Sequence, residues 1–297
     1  MKHHNFRQKS ADFPLYFRIA RALNTLLNGR RGEYFFYSIL GKLGLLNRIG
    51  RFPFFDSHIY IPLTIPETLF IRDFSLFQAL REVNFANVIY QSFGNSSTFI
   101  DCGAAFGQIS YRMAKLCPNI SNIIAIEPNP DSFFVLRKNL DLLKGKNTYL
   151  FNTAVSNFRG KGTLCFPHGQ SDPHSAYIKE ADFGAIDVIR IDDLQHLYTR
   201  DVAIKLDVEG GELAAIEGAI ETISKADNVC FFIEIHPDVL ARNNCNAEDL
   251  LMTITNIRDT KWFIADAPLT MINPSKPFFE QVNRKIYDVI GVSTRAS

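Results

Sequence analysis

The sequence predicts an α/β protein: a doubly wound, mostly parallel sheet with one antiparallel strand near the C-terminus, preceded by a helical and β-stranded extension. Three observations lead there. From residue 98 onward, short apolar or β-branched runs alternate with helical stripes, the pattern of parallel strands whose crossover helices cover both faces of the sheet. TFIDCGAAFG, at 98–107, drives an apolar strand into an acid and two glycines, the form of a tight strand-to-helix turn. The last two strand-like runs, KWFIAD and KIYDVIGVST, have only a loop between them, so they need an antiparallel pairing. The boundary is expected near residue 95, between a basic extension over 1–95 and a main domain over 96–297.

Residues 1–51 carry ten Lys/Arg against two acids, and the remainder carries 22 against 29. The net charge of +1 thus conceals a basic arm on an acidic body and gives no overall bias toward nucleic acid. Leu15, Ile19, Ala22 and Leu26 recur at helical spacing beside Arg18 and Arg21. Two readings stand: a helical cap packed on the body, or an arm lying on an anionic membrane or glycolipid surface. HIYIPLTIPETLFI then alternates apolar and polar residues around Pro62 and Pro66, predicting edge strands of a small sheet.

In the main domain, STFIDCG predicts a strand, GQISYRMAKLC a helix stopped by Pro118, and NIIAIEP a second strand. Asn129-Pro130 reads as the N-cap and first position of a helix that puts Phe133, Leu136, Leu140 and Leu143 on one face. TYLFNTAVS is a third strand, and KGTLCFPHGQSDPHSAYI a hairpin or a loop over the site. VAIKLDVEG is a fourth strand, followed by a helix carrying Leu213, Ile216, Ile220 and Ile223. NVCFFIEIHP is another strand, and DVLARNNCNAEDLLMTITNIR is mostly helical.

The five cysteines show no Cys-x-x-Cys, so neither a zinc site nor a disulfide framework is expected. MKHHNFRQKSADF lacks the apolar core of a signal peptide, and no run approaches the about 18 apolar residues of a membrane span. The expected location is the cytoplasm, with peripheral contact to the inner face of the membrane through the basic segment.

Ligands of such sheets bind beyond the carboxyl ends of the strands. A dinucleotide fingerprint would place glycines at 103, 105 and 108, where the chain has Gly103, Ala105 and Gln108. That disfavours a nicotinamide-dependent oxidoreductase. Asp101 would repel a pyrophosphate but suits the ammonium of a bound amino acid, while Gly103 and Gly107 permit the turn and the close approach of the next helix. Glu127, ending the second strand, can accept both hydroxyls of a ribose, with Asn129 just beyond it; alternatively it is an acid beside a helix N-terminus. Together these residues favour S-adenosylmethionine as cofactor.

The densest polar cluster is IKLDVEGGE, residues 204–212. Strand alternation puts Lys205 and Asp207 on one face, Glu209 opens the turn, and Glu212 falls in the next helix. One reading is structural: a Lys205–Asp207 ion pair and a Glu212 cap. The other is catalytic, because a hydroxyl acceptor must lose its proton as it attacks a methyl group. His236, sharing a face with Glu234, is a candidate base; Asp207, Glu209 or a Lys205 of lowered pKa are others. Asp207, Glu209, Glu234 and His236 also have the chemistry to hold a divalent metal such as Mg²⁺, although catalysis without metal is the preferred expectation.

FIDCGAAFG, IAIEPNP, NTAVSNFRGKGTL, IDDL, IKLDVEGGELAAIEGA and FFIEIHP resemble, in order and spacing, the FkbM family of S-adenosylmethionine-dependent methyltransferases over about residues 98–236. The resemblance implies a class I methyltransferase fold with a seven-stranded sheet. It also implies methylation of a hydroxyl on a sugar, polyketide or similar secondary metabolite, hence a small-molecule or glycan acceptor. By position Asp101, Gly103, Gly107 and Glu127 match the family's cofactor motifs, and Lys205, Asp207, Glu209 and Glu212 its acidic block. Two departures stand out: Ala105 where the family commonly has Asn, and no counterpart in NVIYQSF for the glutamate often seen before the first strand. The competing reading is a non-catalytic, membrane-associated binding protein that keeps the fold.

Overall fold

The computed structural model describes residues 13–26, 33–77, 79–165, 177–241, 245–282 and 287–294. The extension opens with helices α1 (Leu15–Leu26) and α2 (Glu33–Lys42), followed by an antiparallel pair, β1 (Ile49–Phe54) and β2 (Ser57–Pro62). A 3-10 helix at Pro66–Leu69 follows, so the second half of HIYIPLTIPETLFI is not strand; Pro66 takes a first-turn position, where its missing N–H costs nothing. The helix α1 turns the other way from the expected cap: Phe17, Ala20 and Asn24 are buried, while Leu15, Ile19 and Ala22 face solvent. Arg21 explains the choice, since its guanidinium donates to the carbonyls of Thr68 and Ile71 and lies 4.8 Å from the Phe13 ring centroid.

Helix α3 (Ala79–Ser92), unrecognised in the sequence, leads into β3 (Ser97–Cys102), α4 (Gln108–Leu116), β4 (Ile120–Ile126), α5 (Pro130–Leu140) and β5 (Asn147–Phe151). The run TYLFNTAVS divides at Asn152, whose side-chain amide donates to the Glu127 and Pro128 carbonyls. Beyond it, β6 (Thr153–Val155) joins β7 (Gly160–Cys165), β8 (Tyr177–Glu180) and β9 (Ile186–Ile189) in a separate sheet of order β6-β9-β7-β8. The expected hairpin is the antiparallel β7–β8 pair; its connection lies outside the described residues. The chain continues through β10 (Asp201–Leu206), α6 (Glu212–Glu217), α7 (Ile220–Lys225), β11 (Asn228–Ile235), α8 (Pro237–Leu240) and α9 (Ala247–Ile257). It ends with β12 (Lys261–Ile264), β13 (Ala267–Ile272), α10 (Phe278–Gln281) and β14 (Tyr287–Thr294). The single helix expected over 213–223 divides into α6 and α7 around Gly218, whose carbonyl accepts from the Asp192 N–H while the Asp192 carboxylate accepts from the Glu221 and Thr222 N–H groups at the start of α7.

The main sheet has eight strands in the order β13-β12-β14-β11-β10-β3-β4-β5. β5, β4, β3, β10 and β11 are parallel, and β14 runs antiparallel between β11 and β12. Those seven are the mostly parallel sheet with one reversed strand that the sequence led us to expect. β13 adds an antiparallel eighth at the edge, where Pro268 is tolerated because an edge strand has an unpaired side. Alternation divides the core into two layers. Phe99, Ile123, Ala203 and Phe232 pack under α3, α4 and the N-terminal elements, and Ile100, Ile124, Ile204 and Phe231 under α6, α7 and α9. Phe17, Leu40, Phe52 and Ile59 of the extension belong to the first layer, so its apolar core is continuous with that of the main domain.

Candidate active site

The ends of β3, β4, β10 and β11 surround a cavity of about 500 Å³, within the size range of small-molecule sites. Gly103, Glu127, Asn129, Asp207, Glu209 and Glu234 line it, drawing together most of the candidates from both halves of the sequence. Asp101, Gly107, Lys205 and His236 do not.

Three residues after β3 take positive φ: Gly103 at 75°, Ala105 at 48° and Gly107 at 80°. A Cβ on Gly103 would lie 1.8 Å from the Asp207 carbonyl oxygen, so the first loop and the turn after β10 touch backbone to backbone. Gly107 lets α5 close in, with Leu136 Cδ1 2.6 Å from its Cβ position. Ala105 holds a left-handed torsion in which Asn is the enriched non-glycine type; alanine accepts it with some strain.

Asp101 is fully buried below the cavity. Its Oδ2 accepts from Ser110 Oγ at 2.6 Å, and its Oδ1 lies 3.2 Å from Lys205 Nζ. The carboxylate expected to meet a ligand ammonium is thus committed to the protein. Lys205 also donates to the Gly103 carbonyl at 2.7 Å and sits 3.4 Å from Asp207 Oδ2. Burial works against its charge, but Asp101 and Asp207 overcome that and raise its pKa, the opposite of the lowered value a lysine base would need. The ion pair of the structural reading is present, in a wider form: Lys205 ties two acids and the glycine loop together.

Glu127 is 7% exposed. Its two carboxylate oxygens accept from the backbone N–H groups of Ala105 and Asn129, each at 2.8 Å. Burial raises its pKa to about 7 even against those hydrogen bonds. Asn129 caps α5 through Oδ1, accepting from Asp131 and Ser132. Glu212 is the anchor of the acidic turn: Oε1 accepts from the Val208 and Gly210 N–H groups, and burial raises its pKa. With that turn held, Glu209 adopts φ 56° and reaches the cavity wall.

Glu234 and Asp207 both line the cavity. Burial, followed by the Asp207 charge, raises Glu234 to about 7. His236 follows β11 as the N-cap of α8, which Pro237 starts, and does not line the cavity; its Nδ1 is buried without a hydrogen-bond partner. Among the described residues no group of three His, Cys, Asp or Glu side chains is arranged to hold a metal ion.

The raised Glu234 makes a stability prediction. An unfolded carboxyl ionises near 4.5 and the folded one only near 7, so the native state binds more proton in between and loses stability as pH rises through that window. Glu234→Gln lacks this penalty. Its melting temperature relative to the parent is expected to rise from pH 5 to pH 8, and the same difference at both values would refute the burial argument.

Part of the cavity escaped the sequence. Thr153 lines it with a buried, unpartnered Oγ1, and Phe158, Leu164 and Ile178 from the small sheet form an apolar wall. Thr153 stood inside an expected strand, where nothing marked it as facing a cavity.

No curated protein matches the chain. Among solved structures it is similar to methyltransferase FkbM from Methylobacillus flagellatus KT, at 20% identity and TM-score 0.45, over 70% of this chain and 47% of that one. It is also similar to SMU.1697c from Streptococcus mutans in complex with SAH, at 12% identity and TM-score 0.40, over 70% and 94% of the two chains. A third is M. jannaschii TYW2 in complex with AdoMet, at 10% identity and TM-score 0.40, over 82% and 84%. The match spans about half the length of the M. flagellatus protein. The family model of the methyltransferase FkbM domain matches residues 101–259, from the buried Asp101 to the end of α9. That stretch is more than half of the sequence and holds every residue of the cavity, and by it the chain belongs to the FkbM family of methyltransferases.

Proposed function

We propose that this protein is an S-adenosylmethionine-dependent O-methyltransferase acting on a hydroxyl of a sugar, glycan or secondary metabolite. The observation that carries the reading is that Asp207 and Glu234 face the same cavity as Glu127, with burial and the Asp207 charge raising Glu234 to about 7. When bound, S-adenosylmethionine supplies a methyl group made electrophilic by its sulfonium. The cavity suits it in size, and the orphaned Thr153 Oγ1 in its wall needs a partner. Glu127 is the residue to accept ribose hydroxyls, with Gly103 and Asn129 beside it. Asp101 and Lys205 act from below by fixing the glycine loop. On the other side, Glu234 or Asp207 takes the acceptor's proton as its oxygen attacks, a task for which Glu234, raised to about 7, is poised. Rate then rests mainly on alignment of the two partners in the cavity.

Glu127→Ala is expected to weaken S-adenosylhomocysteine binding at least about tenfold by calorimetric titration. Glu234→Gln and Asp207→Asn are expected to lower turnover far more than cofactor affinity. No binding by the parent protein would favour the non-catalytic reading, and unchanged turnover in both carboxylate variants would remove the pair as base.

A further inference from the structure

We infer that α1 and α2 form a docking face for an anionic lipid surface. Along α1, Leu15, Ile19 and Leu23 repeat every fourth residue and are 70%, 51% and 38% exposed. Along α2 and just beyond it, Phe35, Ile39 and Leu43 repeat the spacing at 62%, 39% and 65%. These stripes are surplus to the fold, because each helix is already anchored by its other side. Phe17 and Ala20 of α1 and Leu40 of α2 are in the core. Tyr16 donates to the Leu45 carbonyl and Tyr37 to that of Thr64. Two helices that touch, each with a row of large apolar side chains left exposed among the described residues, make a surface that a water-facing protein rarely keeps.

Charge selects the occupant. Arg18, Lys42 and Arg48 are exposed on or beside these helices, and the only acid in the sequence from 13 to 51 is Glu33. A second copy of the chain would bring this basic face against itself, which is repulsive. A surface of anionic headgroups over acyl chains answers both features: phosphates for the cations, hydrocarbon for the leucines and phenylalanine. Among the described residues no helix is long and apolar enough to cross a membrane, so the contact is one of lying on the surface.

The test is flotation of the full chain with vesicles of phosphatidylcholine alone or mixed with phosphatidylglycerol. Binding is expected only to the mixed vesicles and should weaken about tenfold or more at high salt, as screening demands. Leu15→Glu with Phe35→Glu, and separately Arg18→Glu with Lys42→Glu, should each remove most of the binding. Phe183→Glu, at a fully exposed aromatic in the turn between β8 and β9, should not. Melting curves verify that the variants fold, and Leu15→Ser with Phe35→Ser serves as a milder pair. Equal binding to neutral vesicles, no binding, or parent-like binding by the stripe variants would each overturn the proposal. So would a dimer, seen by light scattering, that the stripe variants dissociate.

Discussion

Gly103→Ala is expected to lower affinity for S-adenosylhomocysteine by at least about 100-fold, roughly 2.7 kcal/mol, and to reduce the melting temperature by about 5 °C or more. Two costs combine. The left-handed torsion at φ 75° costs a residue with a side chain about 1–2 kcal/mol. The new methyl would also stand 1.8 Å from a backbone carbonyl, that of Asp207, which no rotamer change can move. Relief must come from separating the loop after β3 from the turn after β10, and both segments line the cavity. Gly145→Ala isolates the torsional part. It has φ 76° and nothing within 4 Å of its Cβ position, so it should cost only about 1–2 kcal/mol of stability and leave ligand affinity alone. If both variants bind alike in titration calorimetry, backbone contact between the two loops is not what shapes the site.

The second large effect lies outside the cavity. Glu82→Ala should lower unfolding free energy by about 3–5 kcal/mol in urea titrations, because it strands a buried cation. Arg112 is fully buried, forms an ion pair with Glu82, and donates to the Phe74 and Phe77 carbonyls at 2.8 and 3.0 Å. Its guanidinium also lies 5.5 Å from the Phe54 ring centroid. One side chain thus joins α4 to α3 and to the N-terminal extension. Combining Glu82→Ala with Arg112→Met removes the orphaned charge and should recover part of the loss. A double variant less stable than Glu82→Ala would mean that the carbonyl contacts of Arg112, and not the pair, hold these elements together.

The parallel part of the sheet was legible because hydrophobic period and turn residues agree from β3 to β11. Failures came where a local pattern had two physical solutions. In α1 the face marked by Leu15 and Ile19 was as apolar as the one marked by Phe17 and Ala20, and only the distant carbonyls of Thr68 and Ile71, held by Arg21, decide between them. Helix α3 carries Glu82, Phe85, Ala86 and Ile89 at helical spacing, a signal that was available but hidden by the polar residues between them. In TYLFNTAVS the β-forming run is unbroken, and the division at Asn152 depends on carbonyls of another loop. Within the site, spacing brought Lys205 to Asp207 and Glu127 to a strand end. That Ser110 and Lys205 would occupy Asp101 could not be read locally, because Lys205 reaches it across the pairing of β10 with β3. For His236, period-two alternation was extended one residue past the strand, where Pro237 had already ended it.

The small sheet has a consequence for how such a protein diversifies. Asn152 is where the chain leaves the main sheet, and by β10 it has returned. The excursion contributes Phe158, Leu164 and Ile178 to the cavity, while Glu127 and Asp207 directly follow β4 and β10 and Glu234 lies in β11. On the proposed function, recognition and chemistry are therefore written in separable stretches of sequence. Changes at Phe158, Leu164 and Ile178 would then remodel one wall while Glu127, Asp207 and Glu234 keep their places, so a new acceptor could be acquired without rebuilding the reaction centre.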